Sequence, residues 1–385
     1  MSVTAPSGFR AAGIACGLKA SGRPDVAVVI NDGPSAAAAA VFTANRFKAA
    51  PVRWSQRVVA GGQVRAVVLN SGGANACTGQ DGLDDAQRTA EHLAALLAVP
   101  AGQVAVCSTG LIGERLPMRR LLAGVDAAAA SASASPEGGA AAANAIMTTD
   151  TVPKTCALAG DGYAIGGMAK GAGMLAPALA TMLVILTTDA DLPPADLDKA
   201  LRSAVRTTFD RLDADGCMST NDTVLLLASG ASGARPDPGA FAAGLTRACA
   251  DLAGQLQRDA EGASKAIAVQ VTGAATEDDA VAVARAVARS NLLKCAIAGE
   301  DPNWGRVLAA VGTTAAAFDP DRVDVAINGV WVCRGGAPGA PRSQVDLRPR
   351  DVTITVDLSA GQADATVLTT DLTAAYVHEN SAYST

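Results

Sequence analysis

Hydrophobic positions along the chain follow two alternating rhythms. The runs DVAVVI (25–30), RAVVLNSGGANACTG (65–79) and QVAVCSTGLIG (103–113) each pass from β-branched residues into a loop of small ones, the pattern of a strand delivering a loop. Apolar residues spaced at three and four predict helices over 83–98, 118–130, 195–212, 241–260 and 277–296. Between those in the second half, the runs beginning at Thr223, Lys265 and Asp351 predict further strands. The stretch 127–145 is low in complexity and predicts a frayed helix pair around Pro136 and the glycines that follow it. Strands alternating with helices predict an α/β fold, and the lack of any fixed-period repeat excludes solenoids and propellers.

One segment breaks the rhythm. KGAGMLAPALATMLVILTTDA (170–190) carries no charge between Lys170 and Asp189. That window is near the minimum for a membrane span, but Gly171, Gly173 and Pro177 would break a membrane helix near its start. It therefore predicts a loop leading into MLVIL (182–186), a strand buried on both faces. Thr181 falls at the junction of flexible loop and rigid strand, a common position for a reactive group.

Composition narrows the function. The 385 residues are 49% hydrophobic, enough for a large core, yet only 3% aromatic, so stacking platforms for bases or sugars are not expected. A net charge of -6 without any block of Lys and Arg excludes nucleic acid as a partner. Arg10 and Lys19 interrupt the N-terminal stretch before a signal-length apolar run develops, so a cytoplasmic protein with no membrane partner is expected. The eight cysteines are scattered singly, without zinc-like spacing, and no metal or redox cofactor is expected. Of two histidines, His92 lies in an amphipathic helical run and reads as a helix-surface residue, which leaves little for a histidine-based dyad.

Three features carry candidate chemistry. CSTGLIGERLPM (107–118) brings Ser108, Thr109, Gly110 and Gly113 into a turn where backbone N–H groups and a hydroxyl can approach a ligand oxygen; an ordinary capped strand-to-helix turn has the same residues. NSGGANACTG (70–79) is polar and glycine-rich but lacks the spacing of a phosphate loop. The third is Thr181. A threonine hydroxyl needs a base, and if the bond between Ala180 and Thr181 is cut, the freed α-amine, with a reference pKa of roughly 7.7–8.0, can take the hydroxyl proton. A threonine that merely enters a strand remains the plainer alternative.

KGAGMLAPALATML resembles the glycine-rich segment ending in Ala-Thr-Met-Leu of the ornithine acetyltransferase family, the glutamate N-acetyltransferases of arginine biosynthesis. FTANRFKAAPV (42–52), NSGGANACTG, STGLIGERLPM, AIMTTDTVPK (145–154), TFDRLDADGCMSTNDT (208–223), EGASKAIAVQVTGA (261–274), AGEDPNWGRV (298–307) and HENSAYST (378–385) occur in that family's order. The resemblance implies self-cleavage between Ala180 and Thr181 into chains 1–180 and 181–385, with Thr181 as nucleophile and Thr109 and Gly110 as the oxyanion hole. It implies substrate contacts from Thr148, Lys170, Thr181, Glu261, Asn380 and Thr385. Lys170 and Glu261 agree with the needs of an amino-acid ligand, a cation for its carboxylate and an anion for its ammonium. The implied fold is a two-lobed layered α/β sandwich whose two cleaved chains stay intertwined and assemble as an α2β2 heterotetramer.

The implied reaction moves acetyl from N-acetylornithine to glutamate through acetyl-Thr181, releasing ornithine, with acetyl-CoA as a further donor in some family members. Departures from the family's usual pattern are Ala178 and Gly73, where Asn is frequent, and Cys217 in a segment often more acidic. They leave Thr181, Lys170, Thr109 and Gly110 intact and bear on substrate preference. Two other readings stay open: an N-terminal-threonine amidase or aminopeptidase using water as acceptor, and an uncleaved paralogue that binds an acetylated amino acid without turnover.

Overall fold

The computed structural model describes residues 2–175 and 182–382. Ala178, Ala180, Thr181 and Thr385 lie outside the described residues. In chain order the strands are β1 (Phe9–Ile14), β2 (Val26–Asn31), β3 (Ala38–Phe42), β4 (Ala66–Ser71), β5 (Val104–Thr109), β6 (Lys154–Ala159), β7 (Ala164–Lys170), β8 (Leu183–Thr188) and β9 (Thr223–Ala228). They continue with β10 (Ala266–Ala274), β11 (Asp324–Ile327), β12 (Val330–Arg334), β13 (Ala337–Pro338), β14 (Asp351–Asp357) and β15 (Ala363–Thr370). The α-helices are α1 (Ala50–Val59), α2 (Gly79–Leu97), α3 (Met118–Ser131), α4 (Pro136–Ala145), α5 (Pro194–Thr207), α6 (Pro238–Arg258), α7 (Glu277–Ala288), α8 (Asn291–Ala298), α9 (Trp304–Val311) and α10 (Ala374–Ala382).

Among the described residues the strands form three sheets, ordered β1-β2-β4-β5, β3-β9-β8-β7-β6 and β13-β12-β11-β14-β10-β15. The first two face each other. Strand alternation explains why: Leu183 and Ile185 of β8 share a core with Ala27, Val29, Val67 and Leu69 of the first sheet. Their neighbours Val184 and Leu186 point the other way, into a core with Leu201 of α5 and Leu252 of α6. On the outer side of the first sheet Val28, Val68 and Val106 pack against Leu93 of α2 and Leu121 of α3. The result is four layers, helix, sheet, sheet, helix, in which every residue of β2, β4, β5, β8 and β9 is buried.

The third sheet builds a separate core with α7, α8 and α9, in which Val269, Val283, Ile297 and Ile354 meet. The described residues thus pack in two lobes, and the change of core falls after α6. The strands on either side of residues 176–181 belong together: β7 pairs antiparallel with β8, Lys170 opposite Leu183, and β8 pairs parallel with β9, Leu183 opposite Thr223.

Three expectations need correction. The helix expected over 195–212 ends at Thr207, and Thr208 leaves helical geometry before a separate 3-10 turn at Phe209–Arg211. The periodicity over 277–296 is interrupted at Ser290, whose hydroxyl accepts from Leu293 N and starts a second helix. The low-complexity stretch 127–145 is not frayed: α3 ends at Ser131, and the Ser135 side chain accepts from Gly138 N to cap α4, with Pro136 at its first turn. Among the described residues no helix is long and apolar enough to cross a membrane.

Candidate active site

Strand ends from the two facing sheets converge at one place. β5 runs parallel to β4, with Asn70 opposite Ser108 and Ser71 opposite Thr109. The chain beyond β4 then turns back, and Gly72 and Gly73 donate their N–H groups to the Thr109 carbonyl at 2.9 and 3.0 Å. This turn explains Gly110. At φ +128° it lies where L side chains rarely go, and a Cβ there would sit 2.5 Å from Gly73 N. Side chains lock the same turn: Ser108 Oγ donates to Asn70 Oδ1 at 2.6 Å, and Asn221 Nδ2 donates to the carbonyls of Ala74 and Ser108 at 2.7 and 2.8 Å. A side chain at position 73 would meet Leu116 Cδ2 at 2.7 Å, so Gly73 and Leu116 share one space.

From the opposing sheet, Lys170 ends β7 with its ammonium buried and donates to Thr109 Oγ1 at 3.3 Å. Burial pushes its pKa down, while Asp150, Asp222 and Glu261 oppose that and Lys154 adds to it. The Asp150 carboxylate, also buried, accepts from Gly171 N at 2.7 Å, Thr148 N at 2.9 Å and Lys154 Nζ at 2.5 Å. Burial alone would raise the Asp150 pKa, but the charges of Lys170 and Lys154 and the hydrogen bonds outweigh it and hold the carboxyl down at about 2. Lys154 in turn bridges to Asp259, which also accepts from Thr151 N at 2.9 Å. One carboxylate thus holds the backbone of Thr148 and of Gly171, and its charge acts on the neighbouring Lys170.

Strand β8 enters from the same side. Met182 N donates to Asp222 Oδ1 at 3.0 Å, and Asp222 is buried, which raises its pKa well above the usual carboxylate range. Glu261, just past α6, is tied in by its N–H to the Ala172 carbonyl at 3.0 Å, and a Cβ on Gly173 would sit 2.6 Å from Glu261 Oε2. Asn380 of α10 donates its Nδ2 to that same Oε2 at 3.0 Å. A cavity of about 530 Å³ opens beside this contact, lined by Ala172, Asp215, Glu261, Lys294 and Tyr376 among others.

Of the residues singled out from sequence, the structure groups Thr109, Gly110, Thr148 and Lys170, and joins Glu261 to Asn380. Ala180, Thr181 and Thr385 are outside the described residues. Sequence reasoning missed Asp150, Lys154, Asp222 and Asp259. The signal for Asp150 was present in AIMTTDTVPK, where an Asp two residues after Thr148 can accept its N–H, as it does here. His92, as expected, lies on a helix surface, its Nε2 2.6 Å from Asp126 Oδ1.

Comparison with known proteins follows the same outline. The ArgJ family model matches residues 10–385. The arginine biosynthesis bifunctional protein ArgJ of Thermobifida fusca is 69% identical over 385 residues, covering 100% of each chain. The protein of the same name from Streptomyces coelicolor is 65% identical over 384 residues, again covering 100% of each. Among solved structures, the ornithine acetyltransferase of Mycobacterium tuberculosis complexed with ornithine is 56% identical, covering 47% of this chain and 96% of that one with a TM-score of 0.46. Matched along nearly its whole length by both the family model and its relatives, the chain belongs to the ArgJ family.

Proposed function

We infer that this chain is a glutamate N-acetyltransferase of arginine biosynthesis, moving the acetyl group of N2-acetyl-L-ornithine to L-glutamate after cleaving itself between Ala180 and Thr181. The observation that carries this reading is the meeting of Thr109, Lys170 and the Asp150-anchored Thr148 at the strand ends from which residues 176–181 lead to Met182. Family membership and the sequence around Thr181 supply the nucleophile.

Thr181 Oγ attacks the acetyl carbonyl, and its proton passes to the Thr181 α-amine. The oxyanion is held by Gly110 N–H and the Thr109 hydroxyl. Because Thr109 Oγ1 accepts from Lys170, its own proton is free to point at the developing charge, and the buried ammonium strengthens that donor. The C–N bond breaks, the proton goes to the leaving amine, and ornithine departs from an acetyl-threonine ester. Glutamate's amine then attacks the ester, its C–O bond breaks, and the proton returns to Thr181 Oγ. Acyl transfer between two amines moves no electrons between substrates and enlists no redox cofactor; acetyl-CoA can enter as an alternative acetyl donor. Glu261, which lines the cavity, and Asn380, bonded to it, hold the amino-acid end of either substrate in this reading, with Thr385 as a further contact. Since β7 and β8 are hydrogen-bonded neighbours, chains 1–180 and 181–385 stay intertwined after the cut, and two such pairs form the heterotetramer. The cytoplasm is the compartment this substrate set implies.

Intact-mass analysis tests the reading. Purified protein is expected as two fragments, 1–180 and 181–385, that take up one acetyl group from N-acetylornithine on the second, whereas Thr181→Ala stays whole and inactive. An active, uncut chain would remove the α-amine from the mechanism. Acetyl delivered to water instead of glutamate would make the enzyme an amidase.

A further inference from the structure

The loop between β1 and β2 reaches the rim of this site and carries two cations that have no carboxylate partner among the described residues. Its shape is set by Asp25, which is fully buried and accepts from Cys16 N at 2.8 Å, Leu18 N at 2.6 Å and Lys19 N at 3.1 Å. The loop is pressed onto the oxyanion turn: Ser71 N donates to the Asp25 carbonyl at 2.9 Å, and a Cβ on Gly72 would sit 3.0 Å from the Leu18 carbonyl oxygen. Arg120 Nη1 holds the Gly17 carbonyl at 2.9 Å. These contacts present Lys19 and Arg23 to the catalytic cluster. Arg23 Nη2 donates to the Thr148 carbonyl at 3.0 Å, and Lys19 Nζ donates to the carbonyls of Pro24 at 2.7 Å and Ala145 at 3.5 Å.

Among the described residues neither cation is in an ion pair. Lys19 is half-buried, and burial together with the nearby Arg23 lowers its pKa to about 8; Lys170 acts in the same direction, against Asp25 and Asp150. Holding like charges together this way is unfavourable unless an anion joins them. The acceptor and the product of the proposed reaction, glutamate and ornithine, are both free amino acids that differ mainly in side-chain charge, ornithine carrying an ammonium where glutamate carries a carboxylate. A cation pair at the rim attracts one and repels the other.

We propose that Lys19 and Arg23 form an anion subsite at the Thr148 rim that takes a carboxylate or phosphate carried by a substrate, and so favours an acidic acceptor over the cationic product. The subsite rests on the acetyl-transfer reading above. A charge-assisted hydrogen bond is worth roughly 1.5–3 kcal/mol, so each cation removed should cost at least about tenfold in the step that uses the anion.

In a two-step transfer, kcat/KM for each substrate reports its own half-reaction. Arg23→Ala, Lys19→Gln and the double variant, each as processed protein, are assayed for glutamate, N-acetylornithine and acetyl-CoA in turn, with glutamate affinity measured by calorimetry. A loss for glutamate at least about fivefold greater than for N-acetylornithine, with Arg23→Lys largely restoring it, assigns the pair to a side-chain carboxylate. A loss confined to acetyl-CoA assigns it to a phosphate. Equal losses for glutamate and N-acetylornithine, or none in the double variant, overturn the subsite. Arg23 is exposed, so its variant keeps the test available if changes at Lys19 disturb the loop. If the wild type forms no acetyl-enzyme, the acetyl-transfer reading fails, and the calorimetric comparison still decides whether the cations bind glutamate.

Discussion

Asp150 meets three different demands with one carboxylate: it fixes Thr148, pins Gly171 just after β7, and faces the charges of Lys154 and Lys170. Its pKa of about 2, against a reference near 3.9, makes a linkage prediction. The folded-state pKa is depressed, so the stabilisation is present above about pH 4 and is lost as pH falls toward the folded value, with a size of about 2 kcal/mol. Asp150→Asn should therefore be less stable than wild type by at least that amount at pH 7, the gap narrowing below pH 4 in urea unfolding. A gap that does not change with pH would assign the loss to hydrogen bonding alone. The variant should also lose acetyl-transfer activity, because its amide N–H would face the Thr148 N–H or its oxygen would abandon Gly171.

At the scale of elements, the C-terminal segment is held in an unusual way. A short polar stretch at the end of a chain frays by default, yet α10 runs over Ala374–Ala382. No residue of this helix is buried, so it has little hydrophobic hold. Polar contacts hold it instead: Thr373 Oγ1 donates to the Gly262 carbonyl at 2.6 Å and accepts from Tyr376 N at 3.1 Å, while Asn380 reaches Glu261. Gly262, at φ +61°, is required by the approach, since a Cβ there would lie 2.2 Å from Tyr376 N. Deleting residues 380–385 should leave the two-fragment pattern intact, because self-cleavage precedes substrate binding, while lowering kcat/KM for both half-reactions by at least about tenfold, roughly 1.4 kcal/mol. Full activity in the truncated enzyme would detach the tail from the substrate.

Across the whole molecule, the two lobes are joined by polar contacts at several points, among them a buried amide and a buried carboxylate. Gln257, near the end of α6, donates to the carbonyls of Ile267 on β10 at 2.9 Å and Thr369 on β15 at 2.7 Å. Arg289, after α7, holds the buried Asp213 carboxylate at 2.7 Å, beside the cavity that also contains Glu261. Gln257→Ala would leave two buried carbonyls without this donor, at a cost of roughly 1–3 kcal/mol each by the usual penalty for an unsatisfied group. Chemical denaturation should show that loss, and if the lobes uncouple the unfolding slope should fall as well. An unchanged midpoint would mean that water replaces the amide.

Local pattern was enough for what depends on near neighbours. The β-branched runs become β2, β4 and β5, the apolar MLVIL run enters β8 with both faces covered, and the glycine-rich turns after β4 and β5 stand where small residues announced them. Motif order likewise identified the family, and Thr181, as the residue to suspect, is readable only there. Partners far apart in sequence were not legible. Nothing local says that Lys170 will meet Thr109, that Asp259 will join Lys154, or that the 16–25 loop will set Arg23 against Thr148, because these contacts exist only once two sheets stack and α6 and α4 close their sides. Their strength has the same origin: burial removes water from Lys170, Asp150 and Asp222 together, so each charge is governed by the others, and a linear chain contains no such environment.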